Sequence, residues 1–95
     1  MPLVTLDDRV EFPEDVIAQQ VGEEMVLLDL EAGVYYGLDP VGRRIWELLT
    51  EHRRLRVVFE TIAEEYDVTP EVLQQDLLQL VQELQARGLT QVVGT

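Results

Sequence analysis

Apolar residues are arranged in two different ways along the chain, and the change falls near Pro40. Before it they gather in short runs rich in β-branched residues, Leu or Tyr: Val16–Val21, Met25–Leu30 and Val34–Leu38. Runs of this length and composition, bounded by Gly and acidic residues, read as strands. Gly22-Glu23-Glu24 separates the first pair and Glu31-Ala32-Gly33 the second. Gaps this short that carry Gly suit hairpins, so the three runs predict an antiparallel meander. An earlier extended stretch around Val10–Phe12 stops at Pro13.

From Asp39 onward the spacing is helical. Asp39 is a favoured N-cap, and Pro40 at the first helical position forfeits no hydrogen bond. Val41, Ile45, Leu48 and Leu49 follow at helical intervals, with Trp46 beside them. The polar, basic stretch Glu51–Arg56 contains the next loop, after which Val58, Phe59, Ile62, Ala63 and Tyr66 trace one face of a second helix. Thr69-Pro70 repeats the cap-plus-proline start and opens a third helix running to about Arg87. Gly88 is placed to end that helix in the left-handed conformation, with Leu89 packing back, and Arg87 suits the negative end of its dipole. Together these elements predict an α+β, winged-helix-like domain: a three-stranded antiparallel sheet followed by three helices. The 95 residues accommodate one such domain, with an ordered core of about residues 10–90.

Composition narrows the function. An apolar fraction of 46% supplies a core. The net charge is −12, there is no lysine, and five of the seven arginines fall between Arg43 and Arg56. The remaining surface is anionic, which opposes a polyanionic partner and attracts cationic ones; acidity that serves only solubility fits equally well. No apolar run approaches a membrane span, and the acidic N-terminus lacks a signal peptide's basic region, so a cytoplasmic protein with no membrane partner is expected.

The chemical inventory is thin. With no cysteine there is no disulfide, thiol nucleophile or thiolate metal site. Serine is absent, and the single histidine, His52, lies in a run of arginines. Gly33, Gly37 and Gly42 lack the strand-turn-helix context of a phosphate loop, and the adjacent pairs Glu23-Glu24 and Glu64-Glu65 read as solvated surface. The expectation is a non-enzymatic domain with no catalytic residue, metal ligand or cofactor.

Two features point to a binding surface. In the third helix Val72, Leu73, Leu77, Leu78, Leu80, Val81 and Leu84 form a stripe wider than one neighbour needs. Either the core covers all of it or one side serves a partner. The strand Val34–Leu38 ends the meander and is a sheet edge, unless Gln91-Val92-Val93 pairs with it. An open edge offers main-chain groups to an added strand, from a peptide or from a second copy of the chain as a homodimer. With Leu38 in the core, alternation puts Tyr36 on the same face and Tyr35 on the other.

The run Leu27–Leu49 (Leu-Leu-Asp-Leu-Glu-Ala-Gly-Val-Tyr-Tyr-Gly-Leu-Asp-Pro-Val-Gly-Arg-Arg-Ile-Trp-Glu-Leu-Leu) resembles the PqqD-like family, which includes the leader-binding recognition elements of ribosomally made, modified peptides. Tyr66-Asp-Val-Thr-Pro-Glu71, then Asp76-Leu77, Leu84 and Arg87-Gly88-Leu89, extend the likeness over roughly residues 16–90. The resemblance implies a winged-helix-like fold that adds the leader of a precursor peptide as a strand beside Val34–Leu38, in a cleft against the third helix. Carried over, it implies Val34, Tyr35 and Tyr36 on the strand side and Leu73, Asp76, Leu77 and Leu80 on the helix side. Glu83 would meet a basic leader residue, and Leu77→Asp would weaken leader binding.

Within the family, Gly33–Trp46 is most similar to the stand-alone elements of lasso-peptide pathways, whose partners are a leader peptidase and a cyclase. The alternative inside the family is a chaperone that presents its peptide to a radical enzyme. An alternative from another class is a winged-helix regulator with Pro70–Arg87 in a DNA groove. Against it, Glu71, Asp76 and Glu83 face a single cation, Arg87, so no nucleic-acid partner is expected.

Overall fold

In the computed structural model, which describes residues 4–94, the strands lie in two separate sheets. The chain runs β1 (Arg9–Glu11), β2 (Val16–Val21), β3 (Glu24–Asp29), β4 (Val34–Leu38), α1 (Pro40–His52), α2 (Leu55–Glu65), α3 (Pro70–Ala86) and β5 (Gln91–Val93). The expected meander is present, antiparallel in the order β2-β3-β4. Gly22 and Gly33, both at positive φ, close its two hairpins. The outer stretches form the second sheet: β5 pairs with β1, Val92 opposite Val10, and not with β4. Thr90 Oγ1 donates to the Glu11 carbonyl at 2.9 Å, and Val92 N–H donates to Gln85 Oε1 at 2.9 Å. The C-terminal strand is thereby held away from β4, whose edge stays open.

The helix starts follow the sequence signals. The Asp39 carboxylate accepts from Gly42 N–H at 2.7 Å, with Pro40 in the first turn. At the other end of the helical region Gly88 is left-handed, Leu89 N–H donates to the Leu84 carbonyl at 2.9 Å, and Leu89 is buried.

The loop expected within Glu51–Arg56 is present but is two residues long. α1 continues through His52 and α2 begins at Leu55, leaving only Arg53 and Arg54 between them. Arg53 ends α1 at φ 66, a left-handed conformation that ordinarily announces itself as Gly or Asn. It is held by Val10 N–H donating to the Arg53 carbonyl at 2.9 Å, and Leu55 N–H donates to Asp8 at 3.1 Å. Tyr66, expected on one face of the second helix, instead caps α2 just beyond its last turn and is exposed.

The core has two centres. Leu48, Leu49, Leu55, Val58, Ile62, Leu77 and Val81 join the three helices and take in Val10 of β1. Met25, Leu27, Leu38, Trp46, Leu84 and Leu89 join the three-stranded sheet to α1 and α3. Trp46 meets Phe12 edge-on, with ring centroids 4.9 Å apart. A bidentate pair, Arg44 to Glu65 at 2.8 and 2.6 Å, ties α1 to α2 at the surface. No described helix is long and apolar enough to cross a membrane.

Candidate functional site

β4 is an edge strand, and the register shows which of its main-chain groups are open. Leu30 N–H donates to the Asp15 carbonyl at 2.9 Å, one step beyond the Val16–Asp29 pair. Hydrogen-bonded and non-bonded pairs alternate in an antiparallel ladder, so β3 turns Met25, Leu27 and Asp29 toward β4. Their partners Leu38, Tyr36 and Val34 face inward. The N–H and C=O groups of Tyr35 and Gly37 therefore point off the free edge. A Cβ built on Gly37 meets nothing within 4 Å, so the outer sheet face there is open space.

Beside this edge lies a groove of about 340 Å³. Tyr36, Gly37 and Leu38 form one wall, Asp76, Gln79, Leu80 and Glu83 of α3 the other, and Val41, Gly42 and Ile45 of α1 the floor. Tyr36 spans it: its hydroxyl donates to Glu83 Oε2 at 2.6 Å, and the Arg87 guanidinium stands 5.1 Å over its ring. The hydrogen bond to Glu83, with burial and the carboxylate charge behind it, pushes the phenol pKa up from its ordinary value.

The groove continues into an apolar recess of about 190 Å³ that shares Val41, Ile45 and Asp76. Tyr66, Val68 and Val72 form its rim, with Leu73 and Ile62 deeper. The site is thus an apolar channel, acidic at Asp39, Asp76 and Glu83, with main-chain donors and acceptors along one side. That combination suits an extended peptide with apolar side chains and a cation. Among the described residues no cluster of metal-ligating side chains occurs. His52, in the last turn of α1, does not line the groove.

Of the residues expected from sequence, Tyr36, Asp76, Leu80 and Glu83 come together around the groove, and Leu73 lies in the adjoining recess. Tyr35 contributes only main chain, since its side chain is 72% exposed on the opposite face of the sheet. Val34 is half-buried at the start of β4, outside the groove lining. Leu77 does not reach the groove at all. It is 0% exposed within the helical core, because helical spacing turns Leu73, Leu77, Val81 and Leu84 to one side. The expectation that Leu77→Asp tests the cleft is therefore corrected: that change strikes the core.

Sequence reasoning missed the floor and the rim. Val41 and Ile45 read only as apolar positions at helical intervals in α1, and Val68 only as part of the family likeness. The available signal was Val72, which sits one residue off the buried line of α3 and is 51% exposed.

The family model described as Coenzyme PQQ synthesis protein D (PqqD) matches residues 24–89. A solved structure of TbiB1 in complex with the TbiA(beta) leader peptide is 34% identical, covering 85% of this chain and 94% of that one, with a TM-score of 0.80. A second, lasso peptide synthetase B1 complexed with the leader peptide, shares the fold: 24% identity, 87% and 98% coverage, and a TM-score of 0.79. No curated protein matches by sequence.

Proposed function

The chain belongs to the PqqD family, and we propose that it is a non-catalytic recognition element for the leader of a lasso-type precursor peptide. The leader adds as a strand to β4, bonding to the main chain of Tyr35 and Gly37. Its alternate side chains enter the groove and the Val68–Val72 recess. A basic leader residue pairs with Asp76 or with Glu83, whose Oε2 already accepts from Tyr36. The domain then delivers the held precursor to a leader peptidase and a cyclase.

The observation that carries this reading is an open strand edge lying directly over an acidic, apolar groove. The two leader-bound structures of similar fold support it. Over the radical-enzyme alternative, the lasso assignment rests on the resemblance of Gly33–Trp46 to the stand-alone elements of lasso-peptide pathways.

Calorimetric titration with the leader segment of the precursor should show saturable binding. The precursor mass should stay unchanged after incubation with this domain alone. Absence of binding would remove the proposal, and a cleaved or cyclised product formed without another protein would overturn its non-catalytic part.

A further inference from the structure

Of the seven arginines, four pair with carboxylates of the chain: Arg9 with Glu11, Arg43 with Glu47, Arg44 with Glu47 and Glu65, and Arg56 with Asp7. Arg87 lies over the Tyr36 ring at the groove. Arg53 and Arg54 remain, adjacent and exposed in the two-residue turn between α1 and α2, with no ion pair among the described residues. The Arg53 guanidinium stands 5.9 Å over the Phe12 ring.

Neither residue suits the backbone that carries it. Arg53 holds φ 66, where any side chain is strained and Gly or Asn is the ordinary choice. Arg54 occupies the N-cap of α2, makes no capping hydrogen bond, and sets a cation against the positive end of the helix dipole. No acidic residue stands in the first turn to offset it. A fold that gives up stability at two successive positions keeps those side chains for contacts outside itself.

Position and surroundings identify the contact. The turn lies at the far end of the α1–α2 hairpin from the groove, because α1 is about 20 Å long and Val41, Gly42 and Ile45 of the groove floor lie in its first half. A held leader therefore leaves the turn accessible. Beside Arg54 and Arg56 a cavity of about 380 Å³, lined in part by Leu6 and Val57, has room for a side chain. Asp7, Asp8 and Glu60 line the same cavity. Those carboxylates repel a continuous polyanion such as nucleic acid, and a second copy would bring another net charge of −12. Discrete Asp or Glu side chains on a folded surface can still reach the two guanidinium groups, which bind carboxylates bidentately.

We infer that the Arg53–Arg54 turn is a docking point for an acidic patch on one of the enzymes that receive the held peptide, two exposed carboxylates of that enzyme pairing with the two guanidinium groups. Resting on the leader-binding reading for its partner, this docking point is independent of how the leader sits in the groove. Peptide and enzyme occupy opposite ends of one helix hairpin, so neither excludes the other.

The test titrates the full chain with the leader peptidase and, separately, with the cyclase of its own pathway. It compares the wild type, the double variant Arg53→Gly with Arg54→Ser, and the charge control Arg43→Gln. Affinity for one of the two enzymes should fall about tenfold or more in the double variant and weaken with salt. It should stay within about twofold in Arg43→Gln, and leader affinity should do the same in the double variant. The melting temperature of the double variant should rise by about 4 °C or more, because a cap is gained and a strained φ relieved. Full retention of both enzyme affinities in the double variant, or no binding of either enzyme by the wild type, would overturn the inference. So would a lowered melting temperature, which makes the two arginines structural. A wild-type dimer that the double variant abolishes would also overturn it, giving the turn to a second copy. Enzyme binding that depends on Arg53 and Arg54, without any leader binding, would support the docking point and overturn the leader reading.

Discussion

The exposed large apolar side chains of the described residues divide into two sets of four. Val41, Tyr66, Val68 and Val72 ring the end of the groove, and Ile17, Val21, Leu30 and Tyr35 lie on the outer sheet face or its hairpin. Both are apolar, but their shapes differ. The first set surrounds a recess between α1, α2 and the start of α3, deep enough for a side chain. The second rests on a pleated surface with nothing beside it. A concave apolar site takes single side chains from an extended peptide, whereas a flat one takes another folded surface.

The strand edges repeat the contrast. β2 and β4 are both open, and each points alternate main-chain groups outward: Val16, Ala18 and Gln20 on one edge, Tyr35 and Gly37 on the other. Both edges thus offer free main-chain groups, although Val16 N–H of β2 already donates to the Pro13 carbonyl at 3.3 Å. Only β4 has a groove alongside, so under the proposed reading side-chain burial, not the ladder, selects the edge that takes the peptide.

The largest expected effect removes both patches at once. Leu77→Asp puts an unpaired charge where exposure is 0%, a penalty of several kcal/mol against a total stability of about 5–15 kcal/mol. Loss of the cooperative thermal transition by circular dichroism is expected; a folded variant that merely loses leader affinity would return Leu77 to the cleft.

Next is a comparison of edges. Gly37→Pro deletes an outward N–H and crowds the incoming strand without breaking the β3–β4 ladder, so leader affinity should fall about 30-fold or more. Ala18→Pro makes the same change on β2 and should leave it within about twofold. Equal losses would mean that the peptide does not choose between the edges.

A smaller effect separates the patches themselves. Val72→Glu should weaken leader binding about tenfold by placing a charge on the rim of the recess. Stability should change by less than about 1 kcal/mol in chemical denaturation, because the side chain is half exposed. Unchanged affinity would confine the peptide to the Tyr36–Glu83 section of the groove.

The finest effect concerns the strut across the groove. Because the folded-state phenol pKa of Tyr36 is raised, its contribution to stability is complete below the unfolded value of about 10. It is lost as pH rises through the higher folded value. Ultraviolet titration should show a late-ionising tyrosine component that both Tyr36→Phe and Glu83→Gln remove. Persistence of that component in Tyr36→Phe would assign it to another tyrosine.

Local chemistry made much of this readable in advance. Short β-branched, Leu- or Tyr-bearing runs separated by Gly-bearing gaps marked β2, β3 and β4, and Asp39-Pro40, Thr69-Pro70 and Gly88 marked helix ends, because such signals act within a few residues. Arg53 escaped notice because its left-handed conformation is imposed by β1 and not by its own side chain. Tyr36, Asp76, Leu80 and Glu83 were reachable from strand alternation, helical spacing and the family likeness. Leu77 was misplaced because a stripe of seven apolar residues does not say which of them the core claims.

By itself, then, the sequence determined the α+β class, the order of the elements, the anionic surface and the PqqD-like pattern, all of which follow from short-range periodicity and residue type. Tertiary structure alone decided that β5 pairs with β1 and leaves β4 open, that α1 supplies the groove floor, and that a second apolar face looks outward. Each of those depends on which distant surfaces meet, and that is set by how the whole set of apolar faces packs together.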